Sequence, residues 1–202
     1  MKFVGLAAAA AATLVSLAAS AAPTNMVANG SFEAQVLNSG TWTYLDTLTG
    51  WSSDSTFNNK FELRNNVDGA AQDGHNFVEL DTTRNSDIYQ TITSTGLNTL
   101  SFWYMNRPNT SVATNGLSFS FGTSAPVVMA SASGWTNYIT TIDFGTGSTK
   151  KLTFSALGVS DSYGTSLDNI SVTAVPEPET FLMMLAGMGL MGFIARRRVG
   201  KV

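Results

Sequence analysis

The stretch GLSFSFG, residues 116–122, sets Leu117, Phe119 and Phe121 on one side of an extended chain and Ser118 and Ser120 on the other. Side chains alternate across a strand with period two, so this pattern predicts a β-strand with one face buried and one solvated. KLTFSALG, residues 151–158, repeats it: Leu152, Phe154 and Ala156 alternate with Thr153 and Ser155. Further strand candidates lie outward from these two: KFELRN (60–65), NFVELD (76–81), DIYQTI (87–92), TLSFWYMN (99–106), YITTIDF (138–144) and LDNISVTAV (167–175). Clusters of Gly, Asn, Asp and Ser separate them, as in NNVDGAAQDG, DFGTGSTK and GVSDSYG, and these residues suit tight turns. About eight to ten short strands without strand–helix alternation predict an all-β protein. The expected architecture is an antiparallel β-sandwich or jelly roll, with Trp51 in its core.

The two ends read differently. Residues 1–21 have the form of a secretory signal: Lys2, an apolar stretch from Phe3 to about Leu17, and the small residues Ala19, Ser20 and Ala21 at the cleavage point. The β-sandwich domain is then expected over 22–174 and a separate C-terminal segment over 175–202. Residues 23–174 hold six Lys and Arg against twelve Asp and Glu, a net charge of −6. That balance excludes a phosphate-backbone binder, which needs clustered cations, so no nucleic-acid partner is expected. The chain has no cysteine, so neither a disulfide framework nor a thiolate zinc site is available.

The tail begins Val175-Pro176-Glu177-Pro178 and continues with an uncharged run of fifteen residues, Phe181 to Ala195. As a helix this run would extend roughly 22 Å, short of the ~30 Å hydrocarbon core. Arg196, Arg197 and Arg198 follow it and would stay cytoplasmic, leaving the domain outside. Pro176 and Pro178 keep the preceding stretch extended. A hydrophobic helix that anchors the chain transiently, beside an accessible peptide, is the physical expectation.

The order of Pro-Glu-Pro, apolar segment and arginine cluster resembles the PEP-CTERM sorting signal of Gram-negative bacteria. The resemblance implies an exported protein held at the inner membrane and processed by an exosortase-type sorting protease, then placed in the envelope or extracellular matrix. Proteins of that kind often accompany exopolysaccharide and biofilm production.

A second resemblance rests on NGSFE (29–33), Gly50-Trp51, GHNFVELD (74–81), DIYQ (87–90) and GTSLDNISV (164–172). Together these look like the galactose-binding-domain-like jelly rolls of carbohydrate-binding modules. It implies a structural calcium ion at Glu33 and Asp168, and carboxylates with backbone carbonyls do suit a hard cation. The alternative is that Glu33 caps the first strand and Asp168 makes a turn hydrogen bond. Sugar binding would need exposed aromatic faces; Trp42, Tyr44, Trp103, Trp135 and Tyr163 are candidates, with Asn106 and Arg107 near Trp103 in sequence. Trp103 alternates with Phe102 and Tyr104, so either Trp103 or Tyr104 is expected to face outward.

Catalysis has little support, and no catalytic residue is assigned. His75 is the only histidine, which excludes a multi-histidine metal site. Glu79 and Asp81 would share a strand face, a pairing that could hydrolyse glycosides but reads first as two acids on a solvated strand. The expectation is an exported, non-enzymatic protein that binds exopolysaccharide. The alternatives are a structural matrix protein with no discrete ligand and a secreted glycoside hydrolase.

Overall fold

The computed structural model describes residues 23–175, 185–192 and 196. Ten strands are present: β1 (Thr41–Leu45), β2 (Phe61–Asn65), β3 (Asn76–Glu79), β4 (Asp87–Ser94), β5 (Leu97–Met105), β6 (Leu117–Phe121), β7 (Val127–Val128), β8 (Thr136–Asp143), β9 (Ser148–Ala156) and β10 (Ser166–Ala174). They form a six-stranded sheet in the order β1-β2-β3-β10-β5-β8 and a four-stranded sheet in the order β4-β9-β6-β7. All the pairings are antiparallel.

The serine–phenylalanine alternation produces the core. Phe119 of β6 pairs with Phe154 of β9, and Phe102 of β5 reaches across from the other sheet. Its ring centroid lies 5.5 Å from Phe119 and 4.9 Å from Phe154, both edge-on, the arrangement that ring quadrupoles favour. Leu63, Val78, Leu100, Leu152 and Leu167 fill the space around them, and Trp51 is buried in the same cluster. Burying each such side chain contributes about 1.5–3 kcal/mol.

Two strands escaped the sequence pattern. β1 (TWTYL) places its aromatic row outward and mainly threonine inward, so no apolar alternation marks it. β7 has two residues, both exposed, too few for any period. In β10 the register with β5 slips between Asp168 and Ser171, and Asn169 takes a left-handed φ of 47°. This bulge lets Leu167, Ile170 and Val172 all point inward, with relative exposures of 0%, 1% and 0%.

The expectation of solvated outer faces fails at β2 and β3, which are buried on both sides. The cluster NNVDGAAQDG (65–74), expected only as a turn, folds back over them. Trp135 pins it there: its Nε1–H donates to Ala70 O at 2.9 Å while its ring stands edge-on to Phe77 at 5.7 Å.

The NGSFE segment runs alongside β10. Ile170 N–H donates to Gly30 O, Met26 N–H to Val172 O, and the Asn25 side chain bonds both Ile170 and Val172. The two motifs at the ends of the domain therefore meet directly. Residues 185–192 are helical, as expected of the tail, and no helix among the described residues is long and apolar enough to cross a membrane. The expected signal segment 1–21, Pro176, Glu177, Pro178, Arg197 and Arg198 lie outside the described residues.

Candidate functional site

The outer face of the six-stranded sheet gathers the charged and aromatic groups. Trp42 lies opposite Arg64 and Tyr44 opposite Glu62. Glu62 in turn lies opposite Glu79, and Glu79 opposite Ser166. Cross-strand partners share a face, so these side chains form one patch. Arg64 is its centre, with guanidinium nitrogens 2.6 Å from Glu62, 3.1 Å from Glu79 and 2.5 Å from Asp68. Arg107 closes the ring at 2.8 Å from Asp68 and 3.2 Å from Glu79.

Glu62, Arg64 and Glu79 are buried, and burial dominates their electrostatics. Loss of hydration pushes the Glu79 carboxyl up to about 8, against the pull of Arg64 and with the help of Glu62. Glu62 is raised for the same first reason. Burial opposes the charge on Arg64, yet Glu79 and Glu62 together hold its pKa above the ordinary value. The Tyr44 phenol is raised by burial and by both glutamates, so it stays a donor.

The accessible rim lies above this buried base. Trp42 is 48% exposed and stands edge-on to Tyr44 at 5.0 Å. Tyr163 is 45% exposed, with the Arg107 guanidinium 4.5 Å from its ring centroid. Asp68 and Arg107 keep part of their side chains in solvent. A surface with flat rings and both donors and acceptors can meet the apolar faces and the hydroxyls of a sugar.

A second set of carboxylates positions the loops beside this face. Glu33 Oε1 accepts N–H bonds from His75 at 2.8 Å and Asn76 at 2.6 Å. Asp168 Oδ2 accepts from Gln72 at 2.8 Å and Asp73 at 3.0 Å. Both acids thus grip the loop Gln72–Asn76. Asp168 is fully buried and has no ion-pair partner among the described residues. Its burial pushes its pKa up to about 7, offset in part by the N–H groups of Asp73, Asn169 and Gln72. Glu33 Oε2 accepts no hydrogen bond among the described residues, whereas Asp168 Oδ1 accepts from Asn169 N–H at 2.7 Å, so a hard cation would share that oxygen with the amide. Among the described residues no three His, Cys, Asp or Glu side chains gather for a metal ion. The pair therefore fits calcium only with backbone carbonyls or water completing the shell.

The remaining candidates fall as follows. Trp103 is half-buried on the outer face, opposite Asp168 and Asn137. Tyr104 turns to the other side of the sheet and is 6% exposed. Asn106 is spent on Ser131 and Ala132. His75 is exposed, and its backbone N–H, rather than its ring, contacts Glu33. Glu79 and Asp81 are not solvated acids, as expected from their strand, but buried at 1% and 0%. Glu79 Oε1 accepts from Gly164 N–H, and Asp81 Oδ2 from Asp161 and Ser162 N–H, so both anchor the loop that carries Tyr163. Sequence reasoning missed the Glu62–Arg64–Asp68 group. Its trace is the charged pair two apart in FELRN, which needs the partner strand before its meaning shows.

Residues 174–198 match the PEP-CTERM protein-sorting motif. A motif of this kind implies an exported protein whose C-terminal signal is processed by an exosortase system. Among solved structures, Family 16 Carbohydrate Binding Module-2 is similar at 15% identity and TM-score 0.51, over 74% of this chain and 100% of that one. That likeness shows a shared jelly-roll β-sandwich. TmCBM61, solved in complex with β-1,4-galactotriose, aligns at 16% identity and TM-score 0.48 over 75% of this chain and 99% of its own. The CBM22-1 xylan-binding domain of Paenibacillus barcinonensis Xyn10C aligns at 13% identity and TM-score 0.44, over 79% and 99%. No curated protein matches the sequence.

Proposed function

We propose that this exported protein is a non-catalytic binding module for extracellular polysaccharide, sorted by its tail to the envelope or matrix. The observation that carries the reading is exposed Trp42, backed by half-buried Tyr44, above the ion-paired Arg64 and Arg107 cluster. The jelly roll shared with Family 16 Carbohydrate Binding Module-2 supports it as a scaffold. In this reading the glycan stacks on Trp42 and Tyr163 while Asp68 and Arg107 meet its hydroxyls. The buried glutamates hold the arginines in place. Glu62 and Glu79 resemble a hydrolytic pair only in being two adjacent acids. Arg64 bridges them, and at 1% exposure each neither reaches a substrate. The exosortase-type partner acts on the tail, which anchors the chain to the membrane before processing. Calcium at Glu33 and Asp168 belongs to this reading as a support of the fold.

The test is affinity electrophoresis of the full chain in gels containing exopolysaccharide, with a glycan array alongside. Trp42→Ala is expected to weaken retardation about tenfold, which corresponds to about 1.4 kcal/mol, with unchanged melting. Unchanged retardation would overturn the assignment of the face. Retardation of no form in any glycan would favour the matrix protein without a ligand. Release of reducing ends would favour the hydrolase.

A further inference from the structure

The sandwich is open at one end, where a cleft of about 270 Å³ enters between the sheets. Tyr104 and Thr165 line it from the six-stranded sheet, and Leu117, Val128 and Met129 from the four-stranded one, with Leu157 beside them. No charged side chain borders it. Its walls are tightly built. A β-carbon on Gly116 would come within 2.9 Å of Leu157, and one on Gly158 within 2.5 Å of Ala113 O.

One hydroxyl group in this cleft is free to meet a ligand: that of Tyr104, which has no hydrogen-bond partner among the described residues. Thr165 also borders the cleft, but it is 1% exposed and its unpartnered Oγ1 is closed off from it. By contrast the neighbouring amides of Asn106 and Asn115 are already engaged.

We propose that this cleft binds a single uncharged sugar residue carrying a methyl or acetyl substituent. The volume lies just below the about 300–1,000 Å³ of pockets for drug-sized ligands, so one ring fits and a chain does not. The walls of Leu117, Val128, Met129 and Leu157 take the methyl group. The Tyr104 hydroxyl supplies the polar contact to the ring. An acidic sugar is excluded, because no cation is present to pair its buried carboxylate. The inference rests on the glycan-binding reading and adds a second subsite, remote from Trp42, that would select a terminal residue.

Met129 is the reporter. The full chain, labelled at its methionine methyl groups with carbon-13, is titrated with methyl α-L-rhamnoside, N-acetylglucosamine, glucose and glucuronic acid. The Met129 signal should shift saturably with the first two, at least fivefold more weakly with glucose, and not at all with glucuronic acid. Tyr104→Phe, which keeps the ring and removes the hydroxyl, should weaken binding about fivefold. Val112→Trp, at an exposed position on the rim, should abolish it without disturbing the core. No Met129 shift with any neutral sugar overturns the proposal, as does a shift that both variants leave intact. Trp42→Ala separates the two sites: it should lose polysaccharide and keep the Met129 response. A Met129 response in a protein that binds no polysaccharide would sink the outer-face reading and leave the cleft standing.

Discussion

Gly30 and Ile170 are in backbone contact: Ile170 N–H donates to Gly30 O at 2.9 Å, and a β-carbon on Gly30 would stand 2.1 Å from Ile170 O. The atom in the way is main chain, which cannot rotate aside as a long side chain would. The contact ties the start of the domain to its last strand, without the disulfide that a cysteine-free chain cannot form.

Gly30→Ala should therefore cost about 2–4 kcal/mol in urea unfolding, since it must push β10 out of register. Gly134→Ala is the control: nothing lies within 4 Å of its β-carbon position, and a change within about 0.5 kcal/mol is expected. Equal stability of the two variants would mean that the contact between the ends is soft.

Local pattern made the framework legible. Strands whose inward row is apolar, such as β6 and β9, announced themselves by period two. Trp51 was legible as core because aromatic side chains of a β-protein pack inward more often than they form a platform. The site was not, because it depends on pairing. Glu62 and Glu79 are seventeen residues apart in the chain and become partners only through the β2–β3 register. Nor could period two decide between Trp103 and Tyr104. It requires them to face opposite ways but does not say which side the second sheet covers; the structure puts Tyr104 inward. The covering of β2 and β3 by the cluster at 65–74 was equally hidden, since turn-forming composition does not reveal where a loop lies down.

The buried acids predict an unusual pH dependence. Glu79 has a folded pKa of about 8 and Asp168 one of about 7, both above their ordinary values of 4.5 and 3.8. Between the unfolded and folded values the native state binds more protons than the unfolded one. Stability from these groups is thus greatest at low pH and falls as pH rises through the folded pKa. Melting temperature should drop from pH 6 to pH 8. Glu79 faces Arg64, Arg107, Glu62 and Tyr44, so Glu79→Gln will also shift the absolute stability. The diagnostic is the slope, which the variant should flatten. A melting temperature that rises from pH 6 to pH 8 would contradict the burial argument.

The tail predicts a mass. Protein released by the native host should lack residues 1–21 and most residues after Pro178, because the sorting motif at 174–198 directs processing. Intact-mass measurement decides this. Recovery of a peptide containing Arg196–Arg198 from the released form would show that the tail is kept.

Calcium is predicted to act on the loop Gln72–Asn76. Glu33 and Asp168 hold that loop through its amide groups, and Gly74 lets the Glu33 carboxylate close in, since a β-carbon there would meet it at 2.6 Å. Asp168 is a buried acid without a cation to pair with, and its pKa near 7 measures that cost. A divalent ion held by the two carboxylates would relieve it, and would also offset part of the net charge of −6 over residues 23–174. At a hundredfold excess over its dissociation constant the ion would stabilise the fold by about 2.7 kcal/mol, several degrees of melting temperature for a domain of this size. The full chain should melt higher in calcium than in chelator at pH 7.5. Glu33→Gln and Asp168→Asn should melt lower and respond less, because each loses a carboxylate while the amide replaces only one acceptor oxygen. If the wild type melts identically in calcium and chelator while both variants are still destabilised, the two acids serve the loop through their N–H bonds alone.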